Sequence, residues 1–272
     1  MQYFYRIYNI TIKSFFPVLG EKLLEEQKSV DVEFLSETCF SCNESMSCQK
    51  YYLNEYHISI FLNKSIKIYN KNNHLNIESL NYIFHEIIKK ILNTKYLILK
   101  GSSILTQKGA TLLTGQNTKM ITNLSKQFNA YDYYVCSEKF CVIDLDNNNI
   151  FTSMDIYTSN NLTIKSKYDS VPLESIVYIS KDKEEFFDSI ESSIVQLNIL
   201  SGNIAHSTLE NNKFINKNIS EKLYKFIKKK KSVEFYIAQQ PLNEKDSRYY
   251  PVPLFSQIKS LCFLNSPTFS LY

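Results

Sequence analysis

The spacing of apolar residues along the chain divides it into an extended first third, a mixed middle and a late helical stretch. Polar and apolar residues alternate from Tyr3 to Lys13, and Val30 to Leu35 is a short apolar run. The segment YHISIFLNKSIKIYN, Tyr56 to Asn70, reads as a hairpin turning near Asn63 and Lys64. Alternation with period two is the signature of strands that bury one face, so this region predicts a mostly antiparallel module. From Ile77 to Leu92 the period changes: Ile77, Leu80, Ile83, Phe84, Ile87, Ile88 and Ile91 recur three and four apart, and Asn93-Thr94 ends the run. That spacing predicts one amphipathic helix, with His85 a step off the apolar stripe.

Two apolar runs follow, Tyr96 to Leu99 and Gly101 to Thr106, then a turn at Gln107 to Gly109 and a third run, Ala110 to Thr114. Gly115-Gln116-Asn117-Thr118-Lys119 comes next, and Met120, Ile121, Leu124 and Phe128 give a short helical stripe. Strand, small polar loop and helix N-terminus together form an arrangement suited to a phosphate, because unpaired amides and the helix dipole both favour an anion. Three of the five glycines lie between residues 101 and 115, which predicts tight turns and a close backbone approach at one end of a sheet. The competing reading of Gly115 to Lys119 is a plain strand-to-helix turn with a solvated lysine.

Further along, Lys181 to Leu200 carries Phe186, Phe187, Ile190, Ile194, Leu197 and Leu200 at helical spacing and predicts a helix ending near Gly202. Ser220 opens a second helix that runs into lysines 228 to 231, a cluster suited to a helix C-terminus, and SVEFYIA then reads as a strand. The tail from Pro241 to Tyr272 is rich in proline and aromatic residues, and either packs on the core or presents a binding surface.

Composition narrows the function classes. The 272 residues are 44% hydrophobic and 21% charged, enough for one large domain or two modest ones. No stretch approaches the roughly 18 apolar residues of a membrane span, and the N-terminus lacks a signal-peptide core, so the expectation is a cytoplasmic protein with no membrane partner. The net charge is +4, but only Arg6 and Arg248 are arginines; a dedicated nucleic-acid binder would favour the guanidinium fork for phosphate and guanine, which argues against that class.

Six cysteines in a reducing compartment raise zinc as a candidate. Cys39 and Cys42 have knuckle spacing, with Cys48 and His57 further on, yet no second close pair completes the pattern. The reading is free thiols and no metal, with a zinc-knuckle nucleic-acid module as the third functional alternative.

The order of elements resembles the HPr kinase/phosphorylase family of P-loop serine kinases. YRIYNITIKSFFPV and SVDVEFL resemble the opening strands of its shorter members, and LILKGSSILTQKGATLLTGQNTK occupies the place of the family's His-Ala-Ser strand, hairpin and P-loop. The resemblance covers residues 3 to about 200 and is carried by order and spacing. It implies an α/β, P-loop kinase-like mixed sheet with flanking helices: an N-terminal β region over residues 1–75, then a kinase-like domain over residues 76–272.

The signature residues depart from that family. Lys100-Gly101-Ser102 stands for His-Ala-Ser, and Lys119 lies four residues after Gly115, where G-x-x-x-x-G-K-[ST] requires six. Met120 replaces the hydroxyl that would bind Mg²⁺, and Ser137-Glu138-Lys139 replaces an aspartate pair. Each loss removes an electrostatic contribution to phosphoryl transfer. What the resemblance then implies is a degenerate member, with no cofactor, that binds a peptide or small protein. Its residual site is Glu138 and Lys100 beside the loop Gly115, Gln116, Asn117, Thr118 and Lys119. The alternative is an active serine kinase that binds Mg-ATP through a rearranged loop around Lys119 and Glu138.

Overall fold

The computed structural model describes residues 2–8, 10–18, 29–37, 48–53, 55–61, 65–70, 76–106, 109–116, 118–131, 133, 135–137, 140–151, 155–157, 163–165, 170–181, 186–209, 212–229, 233–240 and 252–263. It is a mixed α/β protein with two large mixed sheets and few helices. The chain divides into two compact units, residues 1–91 with 207–210, and residues 92–206 with 211–272. The helix that follows residue 75 thus falls in the first unit.

In the first unit, β1 (Tyr3–Ile7) and β2 (Ile10–Ser14) form a hairpin, so the alternating stretch from Tyr3 to Lys13 is two strands rather than one. The break comes at Tyr8, which turns the chain with φ 49°, a backbone feature that alternation cannot signal. β3 (Val32–Ser36), β4 (Cys48–Leu53), β5 (Tyr56–Phe61) and β6 (Ser65–Asn70) complete a sheet of order β1-β2-β3-β6-β5-β4. β3 runs parallel to both β2 and β6, so the sheet is mixed, while its other three pairings are antiparallel as the alternation predicts. One face buries Ile12, Phe34, Ile58, Ile66 and Ile68.

Helix α1 (Ile77–Leu92) supplies the buried stripe Leu80, Ile83, Phe84 and Ile87, with Phe84 4.9 Å from Phe34 between ring centroids. Asn76 starts the helix, its Oδ1 accepting the Glu78 amide at 2.8 Å. Glu86 on the same helix is buried. Its carboxylate accepts from the Thr208 amide and hydroxyl and pairs with Lys89, while the Ser207 hydroxyl donates to its carbonyl, which ties residues 207 and 208 to the helix.

The second unit centres on a strand that the sequence reading passed over, β15 (Ser170–Lys181). Strands β7 (Leu97–Lys100), β8 (Ser102–Leu105), β9 (Ala110–Gly115), β10 (Val135–Ser137), β11 (Phe140–Asp144) and β12 (Asn149–Phe151) build the order β10-β8-β9-β15-β12-β11-β7 around it. A separate two-stranded ribbon pairs β13 (Asp155–Tyr157) with β14 (Thr163–Lys165). One sheet face packs on helix α2 (Thr118–Ala130), burying Leu113, Ile121, Leu124 and Phe128.

The late region corrects the predicted helix at Lys181 to Leu200. Phe186–Ser189 is strand β16, and only Ser193–Gly202 forms helix α3. β16 pairs antiparallel with β17 (Glu234–Gln240), so a partner distant in sequence overrides the local spacing; Ile194, assigned to the apolar stripe, is 72% exposed. Helix α4 (Asn212–Lys229) opens eight residues before Ser220 and contributes Leu223 and Phe226 to the core on the other sheet face. Its buried Lys222 donates to the carbonyls of Asn93 and Tyr96, which replaces lost hydration with full partners. Within the tail, helix α5 (Val252–Phe263) buries Phe255 and Ile258 in the α2-side core, so the tail is in part structural.

Candidate functional site

The strand order of the second unit determines which candidate residues meet. β9 runs antiparallel to β8 and parallel to β15, and β10 runs antiparallel to β8. The carboxyl ends of β9 and β10, and the amino end of β8, therefore share one edge of the sheet. Lys100, at the end of β7, adjoins that edge through Gly101. The topology thus gathers Lys100, Gly115, Gln116, Thr118, Lys119 and Ser137 at one end of the unit, where ligands of α/β sheets commonly bind.

At Lys100 the backbone is held on both sides. Its amide donates to the Asn203 carbonyl at 2.7 Å, and its carbonyl accepts the Thr114 hydroxyl at 2.7 Å, leaving the side chain exposed. Thr114 is fully buried, so its hydroxyl needs that carbonyl. The pair also pins the end of β7 against β9, at the point where the chain crosses to β8.

The glycines explain themselves by strand packing. Gly115 has φ 152°, and a Cβ there would stand 2.0 Å from the Ile179 carbonyl oxygen of β15. Gly101 has φ 151°, with a Cβ 2.2 Å from the Leu113 carbonyl oxygen of β9. The close backbone approach expected of these residues is thus an approach to neighbouring strands, and it needs no ligand to account for it.

Only Gln116 and Asn117 lie between β9 and α2; Gln116 is exposed and Asn117 falls outside the described residues. Thr118 and Lys119 are exposed in the first turn of α2. Met120 turns inward and is 4% exposed in the cluster with Leu113, Leu124 and Ile179, so its thioether sits in the core. The Thr122 hydroxyl donates to the Thr118 carbonyl at 3.0 Å and is occupied by its own helix. Glu138 and Lys139 lie outside the described residues, as do Cys39 and Cys42.

Cys48 and His57, the two described members of the zinc set, do not come together. Cys48 pairs with Phe61 at one end of the β4–β5 ladder, and His57 pairs with Tyr52 four positions away. At about 3.3 Å per residue that separation is about 13 Å, far beyond what one ion spans. His57 instead stacks edge-on between the rings of Tyr52 and Tyr69, at 4.7 and 5.7 Å.

Sequence reasoning missed the groups that neighbour the loop from β15. Tyr178 lies across from Thr114 and Ile179 across from Gly115, and Ser180 follows with a buried hydroxyl that has no hydrogen-bond partner among the described residues. Alternation puts Tyr178 and Ser180 on the sheet face opposite α2, and nothing in their local spacing marks them. Burial raises the Tyr178 phenol above its ordinary value. Tyr236 on β17 is pushed up to about 12 by burial and then by the neighbouring Glu234 carboxylate. Both phenols stay protonated at neutral pH and act as hydrogen-bonding groups rather than bases.

No family model matches the chain, and no curated protein matches it. Among solved structures it is similar to the HPr(Ser) kinase/phosphatase from Coxiella burnetii, at 7% identity over 60% of this chain and 95% of that one, with a TM-score of 0.32. A likeness at that score decides nothing about the fold, which stands on the strand order itself. No described helix is long and apolar enough to cross a membrane.

Proposed function

We propose that the second unit is a degenerate kinase-like scaffold of the HPr kinase/phosphorylase type, and that the protein binds a peptide or small protein partner, as an accessory in peptide modification. The observation that carries this reading is the junction of β9 and α2. Gly115 is spent on the Ile179 carbonyl, two residues bridge strand to helix, and Met120 is committed to the core. Such a junction lacks the amides to enclose a β-phosphate and the hydroxyl to hold Mg²⁺. Titration calorimetry of the full chain with Mg-ATP should therefore show no micromolar binding. A micromolar affinity that Lys119→Ala abolishes would overturn the reading.

One arrangement favours the active-kinase alternative. Lys100 and Lys119 stand exposed at the same sheet edge, beside the first amides of α2. In that case a phosphate would rest on the helix N-terminus, and Lys119 would compensate the γ-phosphate charge. Transfer of labelled γ-phosphate to serine peptides, lost with Lys119→Ala, is the outcome that separates the two readings.

A further inference from the structure

We infer that the connection between α3 and α4, Asn203 to Leu209, is a latch that opens and closes as one unit, and that Glu86 of α1, at one end of it, positions the backbone of Lys100 at the other. The inference stands apart from the β9–α2 junction and from what that junction binds.

This connection forms neither helix nor strand, yet it is held as tightly as a core element. Asn203, Ile204, Ala205, Ser207 and Leu209 are each at most 6% exposed, although connecting segments ordinarily run over the surface. Burial of such a segment requires partners for its backbone groups, and they come from two places. The first half lies along the outer edge of β7, away from β11. There the Lys100 amide donates to the Asn203 carbonyl at 2.7 Å, the Ala205 amide donates to the Ile98 carbonyl at 2.9 Å, and Leu99 bridges Ile204 antiparallel. Asn203 is fixed to α3 as well, its Nδ2 donating to the Ile199 carbonyl at 2.7 Å.

The second half is held by one residue, Glu86. Thr208 donates its amide to Glu86 Oε2 at 2.6 Å and its hydroxyl to the same oxygen at 3.0 Å. Ser207 donates its hydroxyl to the Glu86 carbonyl at 2.7 Å, and that hydroxyl accepts the Leu209 amide at 3.2 Å. Lys89 pairs with the other carboxylate oxygen. These donors stabilise the buried carboxylate as the anion, and hydrogen bonds to an anion are about twice as strong as neutral ones.

Covalent spacing makes the two halves one device. Only the exposed His206 separates the anchored Ala205 from the anchored Ser207, and consecutive Cα atoms are about 3.8 Å apart. Ser207 cannot leave α1 without dragging Ala205, and with it the bonds to Ile98 and Lys100. Ordering each residue costs conformational entropy that both sets of bonds offset together, so the two ends share one opening equilibrium. When the latch opens, Ile98 and Lys100 lose the partners of their outer backbone groups. The Lys100 backbone is then left to the Thr114 hydroxyl and to its β11 neighbour Phe140. Glu86 acts on Lys100 through the chain, as a positioning residue.

Native-state amide hydrogen exchange of the full chain, read residue by residue by NMR, tests this. The amides of Lys100, Ala205, Thr208 and Leu209 should exchange through one opening, with protection factors that agree within about threefold. Glu86→Gln should lower all four by about tenfold. Thr208→Val, a milder change at an exposed residue, should lower them by a smaller common factor. Asn203→Ala, which frees the start of the latch from Ile199, should in return lower the protection of Thr208 and Leu209, because coupling is reciprocal. Leu112 in β9 and Val177 in β15 should keep theirs in every variant. Faster exchange at Thr208 and Leu209 with Lys100 and Ala205 unchanged would show two independent anchors. An equal loss at Leu112 and Val177 would make Glu86 a general stability residue. Either outcome overturns the latch.

Discussion

The two units bury their strands in opposite ways. In the first, β6 reads Ser65-Ile66-Lys67-Ile68-Tyr69-Asn70, with Ile66, Ile68 and Asn70 buried and the residues between them partly exposed. In the second, all six residues of β9 are buried. A sheet with one covered face leaves the side chains of its second face only partly buried. A sheet covered on both faces offers only the ends of its strands, and that is where Lys100 and Lys119 emerge. The tolerance to substitution should differ accordingly.

The largest effect is expected at Gly115. Any Cβ there meets the Ile179 carbonyl oxygen, so Gly115→Ala should destabilise the protein by about 4 kcal/mol, read as a shift in the urea midpoint. A mild response would show that the β9–α2 junction has slack, and so that a phosphate could still be accommodated.

Phe255→Ala comes next. The ring is 6% exposed and lies 4.6 Å from Phe128 and 5.0 Å from Tyr131, so its removal should cost about 3 kcal/mol. The consequence bears on the tail. If the tail were a free binding surface, deleting residues 241–272 would leave the core folded; with Phe255 and Ile258 in that core, the deletion should unfold the second unit.

In the first unit the corresponding test is Glu86→Gln, with an expected loss of about 2 kcal/mol. Burial of the Glu86 carboxyl disfavours its charge, but the Lys89 ammonium and the Thr208 amide outweigh that and hold it below its ordinary value of 4.5. Its contribution is then full above that ordinary value and disappears as pH falls through the lowered one. Thermal melts of both proteins from about pH 6 down to about pH 3 should converge at the acid end. A constant gap would remove the carboxylate from the account.

The smallest effect has the opposite sign. Gly202 ends α3 with nothing within 4 Å of a Cβ, so Gly202→Ala should stabilise by about 0.8 kcal/mol or less. Together with Gly115→Ala it separates glycine as a packing requirement from glycine as a weak helix residue.

Much of this was legible locally. The three-and-four spacing from Ile77 onward marks α1 over its observed length, because a helix that buries one stripe must repeat at 3.6 residues. The hairpin of β5 and β6, the β8–β9 pair and the short junction before α2 were likewise visible, each signalled by period, turn residues or glycine. The absence of a P-loop spacing and of a metal hydroxyl is a statement about sequence alone.

What only the tertiary structure decided is where a segment's partner lies far away. β16 carries phenylalanines at helical spacing, and its strand state comes from pairing with β17 some fifty residues later. β15 has no tidy alternation, since its two halves pair with different strands and both faces are covered. The glycines were flagged by their clustering, but only the register of β9 against β15 shows that Gly115 makes room for the Ile179 carbonyl. A cleft of about 260 Å³ lined by Leu53, Tyr56, Glu78, Ser79, Tyr82 and Ile83 was invisible for the same reason. Its lining comes from a strand edge and a helix start that are separate in sequence, and a concavity exists only once packing has brought them together.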